Sequence, residues 1–340
     1  MKLKKIVLLA TLISCASLSF AFEGFGKNEG GNNYPEYYVT NLNDSGVGSL
    51  RDALSQSGRH VVFDVDGKIK LNSPIILKNL SDITIDGTFN KSKHQNLVID
   101  GNGIYLSNSH NIIMQNIRIN NAPKYGILIS DYSYNVIVDH VTVLNSSQND
   151  VEFGKNIDIN NSSHDITVSY SLISYDSNDS DVLDTKFKGL LVTDNNMVPV
   201  TNVALHHNVF FQNYQRSPEI SSPGNFVMVN NLIYDFRSYG SRLRNGATGN
   251  IIGNYYLTRL SNKQKDALII TSDASKFYVQ DNYGVNSSSI PVGNISSTVI
   301  QPMPTIKTSP SNTLRDDLPM QVGALPHDNA EKQIISKIQN

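Results

Sequence analysis

The sequence predicts an all-β, single-domain right-handed parallel β-helix, a solenoid built from stacked coils. Three observations predict this fold class. A short apolar segment recurs through the middle of the chain, and no helical periodicity interrupts it there. In addition, 319 residues remain once residues 1–21 are set aside, which is more than a usual compact domain contains. A single elongated repeat fold accounts for all three observations.

The repeated segment is rich in β-branched residues, alternates in polarity and often closes on asparagine. Its copies end at positions 116, 141, 171, 208, 231, 254 and 282, with steps of 25, 30, 37, 23, 23 and 28 residues. The shortest step is long enough for one coil of three short strands, and longer steps carry loops. One coil cannot bury its apolar face alone, whereas stacked coils form a continuous core. We expect the corner asparagines to adopt left-handed backbone and to stack their amides on those of the next coil.

An antiparallel β-sandwich is the alternative reading of these strands. It is disfavoured because hairpin signals such as Asn-Gly are scarce between the repeated segments. We therefore assign residues 22–284 to the β-helix. Residues 285–340 are rich in Ser, Pro and Thr and end in a helical-looking stretch. They form a C-terminal extension that either packs on the β-helix or hangs as a loose tail.

The first 21 residues have the features of an export signal. Three lysines precede an apolar run, and Ser19 to Ala21 supply small residues for cleavage. The segment Leu12 to Cys15 also fits a lipobox, which would place a lipid anchor on Cys15. Both readings predict a protein that is secreted, extracellular or periplasmic. Both also predict no transmembrane helix, because the apolar run is short, and no disulfide, because Cys15 is the only cysteine.

The charge of the chain limits its partners. The net charge is −2 and becomes −5 without the three lysines of residues 1–21, which disfavours a general nucleic-acid binder. An acidic ligand would therefore need a local basic cleft. We expect a monomer.

Several long segments match one known family across the mature chain. They are 24–26, 39–46, 48–53, 61–69, 138–140, 206–208 and 322–326. These segments resemble polysaccharide lyase family 1, the pectate and pectin lyases. The resemblance implies a parallel β-helix that cleaves pectate-like acidic polysaccharides by β-elimination. Such a reaction needs cations that neutralise a uronate carboxylate and a base that removes the adjacent proton. In the family, calcium and a lysine provide the cations, and an arginine is the base.

The resemblance assigns roles to four basic residues of this chain. Arg216, in Arg-Ser-Pro, lies at the position of the catalytic base. Lys188, in Lys-Gly-Leu-Leu-Val, lies at the position of the carboxylate-binding lysine. Arg244 occupies a further substrate-binding position, and Lys124 places a positive charge where the family has a calcium ligand. An arginine acts as a base only in strongly cationic surroundings.

The calcium ligands of the family are poorly matched. Its first acidic pair falls on Lys124 and Gly126, and its second pair falls on Gly154 and Asp158. Asp158 is thus the retained metal-ligand candidate, and Asp150 and Glu152 are close enough in sequence to contribute. A hard cation needs several converging oxygens, so the sequence predicts a degenerate calcium site and a lyase that works without calcium.

Two other features also depart from the family or invite another function. The family carries a second arginine three to five residues after the first, where this chain has Glu219 and Ser221. Glu219 would favour protonated Arg216 and oppose its use as a base, which leaves an inactive carbohydrate-binding β-helix as the alternative. A polygalacturonase-type glycoside hydrolase is a second alternative, although no Gly-His-Gly segment is present. We expect His206 and His207 to stack within the coils rather than to react.

Overall fold

The chain folds as a solenoid in which three strands per coil stack into three parallel sheets. The computed structural model describes residues 22–90, 96–146, 154–175, 187–195, 198–259, 263–271, 274–286, 288 and 290–340. Within these ranges the strands are numbered β1 to β26 in chain order. Each strand pairs in parallel with the equivalent strands of the adjoining coils. The predicted parallel β-helix is confirmed.

Ten strands form sheet A: β1 Glu36–Val39, β2 Arg59–Phe63, β5 Ser81–Asn90, β8 His110–Gln115, β11 Tyr134–Asp139, β14 His164–Ser169, β17 Thr201–His206, β20 Asn225–Val229, β23 Thr248–Ile252 and β26 Lys276–Gln280. Eight strands form sheet B: β4 Ile75–Lys78, β7 Ile104–Ser107, β10 Tyr125–Ser130, β13 Lys155–Asn160, β16 Leu190–Thr193, β19 Glu219–Ser221, β22 Ser241–Arg244 and β25 Leu268–Ile270. Eight more form sheet C: β3 Lys68–Lys70, β6 Val98–Asp100, β9 Arg118–Asn120, β12 Thr142–Leu144, β15 Leu172–Ser174, β18 Val209–Phe211, β21 Leu232–Tyr234 and β24 Tyr255–Leu257. The α-helices are α1 Leu50–Ala53, α2 Leu314–Asp317 and α3 Asn329–Gln339.

The strand pairings fix the length of each coil. Along sheet A from β11 to β26, equivalent residues are 30, 37, 23, 23 and 28 apart, as the sequence predicted. The step from β8 to β11 is 24 residues rather than 25, because Asp139 pairs with Gln115. Alternate residues of each strand point into the solenoid, so Val136, Ile166 and Val203 stack in register and are fully buried. Burial of each such side chain stabilises the fold by about 1.5–3 kcal/mol.

A ladder of asparagines joins the last coils at the corner between sheets A and C. The Nδ2 of Asn208 donates to Oδ1 of Asn231 at 3.0 Å, Asn231 to Asn254 at 2.8 Å, and Asn254 to Asn282 at 2.9 Å. The left-handed residue at each corner is the one before the ladder residue: His207, Asn230, Gly253 and Asp281. The two roles that the sequence assigned to one asparagine therefore fall on two consecutive residues.

The C-terminal segment packs along sheet C. Apolar side chains of α2 and α3, including Leu314, Ile334 and Ile338, join a buried cluster with residues of the sheet such as Val209 and Leu232. α3 begins with a capping box in which Asp328 accepts from the backbone of Glu331. The fully buried Glu331 accepts from Arg118 Nε at 2.9 Å and also bonds the Thr142 hydroxyl. Within the described ranges, no helix is long and apolar enough to cross a membrane.

Candidate active site

Basic side chains follow one another along neighbouring coils of sheet B. They form what we call the basic strip: Lys124 directly before β10, Lys155 at the start of β13, Lys188 just before β16, Arg216 just before β19, and Arg242 and Arg244 in β22. These five strands are consecutive neighbours in the sheet, so the strip is about 19 Å long at the usual strand spacing. The charges of Arg216 and Lys124 both act on the Lys155 ammonium. A chain of net negative charge thus gathers cations on one surface.

Three arginines of the basic strip converge on one buried carboxylate. Glu219 is fully buried, and its Oε1 accepts from Arg242 Nη2 at 2.7 Å and from Arg244 Nε at 2.9 Å. Its Oε2 accepts from the Tyr239 hydroxyl at 2.5 Å. Arg216 Nε lies 3.0 Å from the same Oε2 but is not aligned for a hydrogen bond, so this contact is an ion pair.

This surrounding keeps Glu219 ionised. Burial alone would raise the pKa of its carboxyl group, but the Tyr239 hydrogen bond and the nearby arginines outweigh burial and hold the pKa below its usual value. Burial and the charge of Glu219 together raise the pKa of Tyr239 far above its usual value. Glu219 is therefore a permanent anion, and Tyr239 a permanent hydrogen-bond donor, at ordinary pH.

Arg216 is held in an unusual backbone conformation. Its φ is +66°, a left-handed value that is costly for a residue with a Cβ atom. The Arg216 carbonyl accepts from Leu190 N at 2.6 Å, and a Cβ atom on Gly189 would come within 2.5 Å of that carbonyl. Glycine is therefore required beside Lys188 so that the two coils can approach. Among the described residues, no acceptor bonds the terminal nitrogens of Arg216.

Lys188 lies between the coils of Lys155 and Arg216. Its carbonyl accepts from Asn156 N at 3.0 Å, and it pairs with Gln215 in an isolated parallel bridge. The structure thus places Lys124, Lys188, Arg216 and Arg244 along neighbouring strands of sheet B, with Lys188 buried.

Lys155 and Asp158 form a buried ion pair within the strip. Lys155 Nζ lies 2.7 Å from Asp158 Oδ2, and both side chains are at most 5% exposed. Burial lowers the pKa of Lys155, and the charges of Arg216 and Lys124 lower it further, while Asp158 opposes the shift. Asp158 Oδ1 accepts from Asn160 Nδ2 at 3.2 Å. Asp158 is therefore neutralised by an ammonium, which weighs against its assignment as a calcium ligand.

The other positions of the family's calcium site do not fit a metal either. A Cβ atom at Gly126 would lie 2.4 Å from Val143 Cγ1 and 2.8 Å from the Asn156 carbonyl, so no acidic side chain fits there. Among the described residues, no three His, Cys, Asp or Glu side chains are grouped to hold a metal. Asp150 and Glu152 lie outside the described residues. The described residues thus do not provide the donor set that calcium needs.

The histidine pair lies at the end of β17, on sheet A, and stacks as predicted. The ring of His207 stacks on Tyr170 with centroids 4.8 Å apart, and Tyr170 stacks on His140 at 5.1 Å. His206 meets His207 edge-on. Burial lowers the pKa of both His206 and His207 to about 4, so both are neutral at ordinary pH. Their role is structural.

The sequence predicted no role for two of the residues that bind Glu219, Arg242 and Tyr239. Both lie a few residues before Arg244. The signal for Arg242 is alternation, because Arg242 and Arg244 are two apart in β22 and point to the same face.

The chain is similar to known proteins in sequence and in fold. A family model described as pectate lyase matches residues 55–307. The chain belongs to the pectate lyase family. It is 34% identical over 296 residues to a probable pectate lyase C of Aspergillus oryzae, covering 81% of this chain and 64% of that protein. A probable pectate lyase C of Aspergillus fumigatus is 31% identical, covering 98% of this chain and 80% of that protein.

Two solved structures illustrate the shared fold. The major cedar pollen allergen jun a 1 superposes with a TM-score of 0.68 at 17% identity, covering 89% of this chain and 93% of that chain. A pectate lyase from Bacillus sp. N165, in complex with trigalacturonate, gives a TM-score of 0.64 at 20% identity, covering 89% of this chain and 98% of that chain. At these identities the likeness shows the fold, a right-handed parallel β-helix.

Proposed function

We propose that this chain is a secreted lyase that cleaves a pectate-like acidic polysaccharide by β-elimination, without calcium. The observation that carries the proposal is the basic strip. Six cations and two carboxylates, Asp158 and Glu219, leave four formal positive charges on one surface of a chain whose net charge is −2. A polymer with one carboxylate per sugar matches such a line of charges. Family membership supplies the reaction class.

The reaction assigns a task to each part of the strip. Lys188 and Arg244 bind carboxylates of the polymer, and the cations around the reacting sugar stabilise the charge that develops on its carboxylate. Arg216 removes the proton from C5. The electron pair of the C5–H bond becomes the double bond between C4 and C5, the bond from C4 to the linking oxygen breaks, and water gives that oxygen a proton.

Arg216 has charges of both signs beside it. Arg242 and Arg244 bind the same carboxylate, and Glu219 Oε2 lies 3.0 Å from Arg216 Nε. Because Glu219 already neutralises part of the charge of Arg242 and Arg244, its effect is shared among three guanidinium groups. Since no acceptor among the described residues bonds the terminal nitrogens of Arg216, these nitrogens can face the substrate.

The Lys155–Asp158 pair carries the proposal that calcium is not needed. An ammonium occupies the position next to the retained carboxylate, and Gly126 excludes a second carboxylate. Because the Lys155 ammonium is buried against Asp158, the positive charge of Lys124 would then help to neutralise the substrate carboxylate. Complete loss of activity on adding EDTA would contradict this part of the proposal.

The lyase activity is tested by the ultraviolet absorbance of the unsaturated uronate product. Polygalacturonate is incubated with the wild type, with Arg216→Ala and with Arg259→Ala. Arg259 is a matched control because it is an arginine paired with Asp235 outside the strip. We expect product from the wild type and from Arg259→Ala, and a loss of at least about 10²-fold for Arg216→Ala, the range seen when a catalytic base is removed.

Other outcomes identify the alternatives. New reducing ends without ultraviolet absorbance would indicate a hydrolase. Binding of polygalacturonate with neither product would indicate a carbohydrate-binding protein that has lost the chemistry, the reading that Glu219 favours.

A further inference from the structure

Glu219 is the feature of the basic strip that the reaction does not use. It is fully buried, carries a permanent negative charge and lies 3.0 Å from the arginine proposed as base. A carboxylate there repels a polyanion. Its placement therefore has to serve the site in another way.

The contacts of Glu219 connect two coils. Arg216 belongs to the same coil as Glu219, three residues before it, whereas Arg242 and Arg244 lie in β22 of the next coil. In the strand register Glu219 is opposite Arg242, and Ser221 is opposite Arg244. The carboxylate thus lies between guanidinium groups from both sides, with the Tyr239 hydroxyl holding its other oxygen.

The Glu219 carboxylate affects where the three arginine side chains can lie. Three guanidinium groups that shared this space without an anion would repel one another and turn outward into water. Arg242 and Arg244 have side chains 32% and 39% exposed, so they reach the surface. Glu219 binds both of them, and the Arg242 guanidinium also lies over the Tyr239 ring, 4.6 Å from its centroid. Charge-assisted hydrogen bonds of 2.7 and 2.9 Å to Glu219 give both guanidinium groups a fixed position.

We propose that Glu219 is a positioning residue that holds Arg242 and Arg244 beside Arg216, so that these two arginines bind carboxylates of the polymer. The small side chain of Ser221 leaves room for Arg244, whose guanidinium crosses from the next coil. Asn245 Nδ2 donates to Ser221 Oγ at 2.8 Å and ties the same two coils together. This inference rests on the proposed acidic polysaccharide as ligand.

The test compares Glu219→Gln with Glu331→Gln. Glu331 is the matched control because it is also fully buried and paired with an arginine, Arg118, but it lies under the C-terminal segment. We measure the KM and kcat for polygalacturonate and the Kd for trigalacturonate by calorimetry. Glu219→Gln should raise both KM and Kd at least about tenfold, the size expected when charged hydrogen bonds to a ligand are lost. Glu331→Gln should change neither.

A double-mutant cycle separates positioning from a general structural role. If Glu219 acts through Arg242 and Arg244, then Glu219→Gln should have little further effect on the Kd in an Arg242→Gln/Arg244→Gln background. Additive effects in the cycle would overturn the inference, as would a Kd of folded Glu219→Gln within twofold of the wild type. If Glu219→Gln does not fold, Arg244→Gln alone still tests the inference, because an unchanged Kd would remove the role for which Glu219 is proposed.

The lyase proposal and this inference can fail separately. If the protein binds trigalacturonate but forms no unsaturated product, the proposed reaction is wrong and the Glu219 test remains valid. If it forms unsaturated product and the Kd of Glu219→Gln is unchanged, only the inference about Glu219 is wrong. A wild type that binds no trigalacturonate overturns the inference.

Discussion

Replacement of Lys155 by methionine tests the buried ion pair on which the proposed calcium-independent site depends. Methionine nearly keeps the length of the side chain but removes the ammonium 2.7 Å from Asp158. Asp158 is 2% exposed, and among the described residues it would keep only the Asn160 amide as a side-chain donor. Removing one partner of a buried ion pair leaves an uncompensated charge, so we expect a loss of about 3–5 kcal/mol in the free energy of unfolding at neutral pH.

The assay is denaturant unfolding of the wild type, Lys155→Met and the double variant Lys155→Met/Asp158→Leu. Asp158 lies in register between Leu128 and Leu191, so leucine extends an existing column. We expect the double variant to recover most of the lost stability, because an apolar pair replaces the ion pair. A loss below about 1 kcal/mol for Lys155→Met, or no recovery in the double variant, would refute the reasoning.

Three further predictions concern the fold and its pH dependence. Asn231→Ala should lower the free energy of unfolding by about 3–5 kcal/mol, because it removes two donors and leaves their buried partners unsatisfied. Asn282→Ala, at the partly exposed end of the ladder, should lower it by less. Equal losses in denaturant unfolding would contradict the role of the ladder. His206 and His207 have pKa values lowered to about 4 from 6.5, so the unfolded chain binds more protons between these values. Stability should therefore fall as pH drops through that window, by up to about 3 kcal/mol per histidine; a flat pH profile of the denaturation midpoint would contradict this. Gly126→Asp should destabilise the fold by about 1–3 kcal/mol, because its Cβ atom meets Val143, and added calcium should not raise its melting temperature; a rise would contradict the account.

Most of the fold could be predicted because the repeat is local. Each apolar segment predicts one strand, and five of the six predicted coil steps agree with the strand pairings. The first predicted step was one residue too long. Asn116 is equivalent to His140, and both have a positive φ, but their residue types differ and do not mark the corner. For the same reason the sequence did not separate the left-handed residue from the amide of the ladder.

The site could be predicted only in part, because its contacts cross coils of unequal length. Motif resemblance placed Arg216, Lys188 and Arg244, and the structure brings all three to one surface of sheet B. The sequence also showed that Glu219 follows Arg216 closely. It could not show that Arg242 pairs with Glu219 across 23 residues, since that contact depends on the strand register.

The most direct test of the account is the rate at which polygalacturonate gains the ultraviolet absorbance of an unsaturated uronate, measured in EDTA and again in excess calcium. In the proposed site, positive charge for the substrate comes from Lys124, Lys188 and the arginines around Glu219. We therefore expect the wild type to form product in EDTA at a rate close to that in calcium, and Arg216→Ala to form none above background. Product in calcium alone would contradict the account.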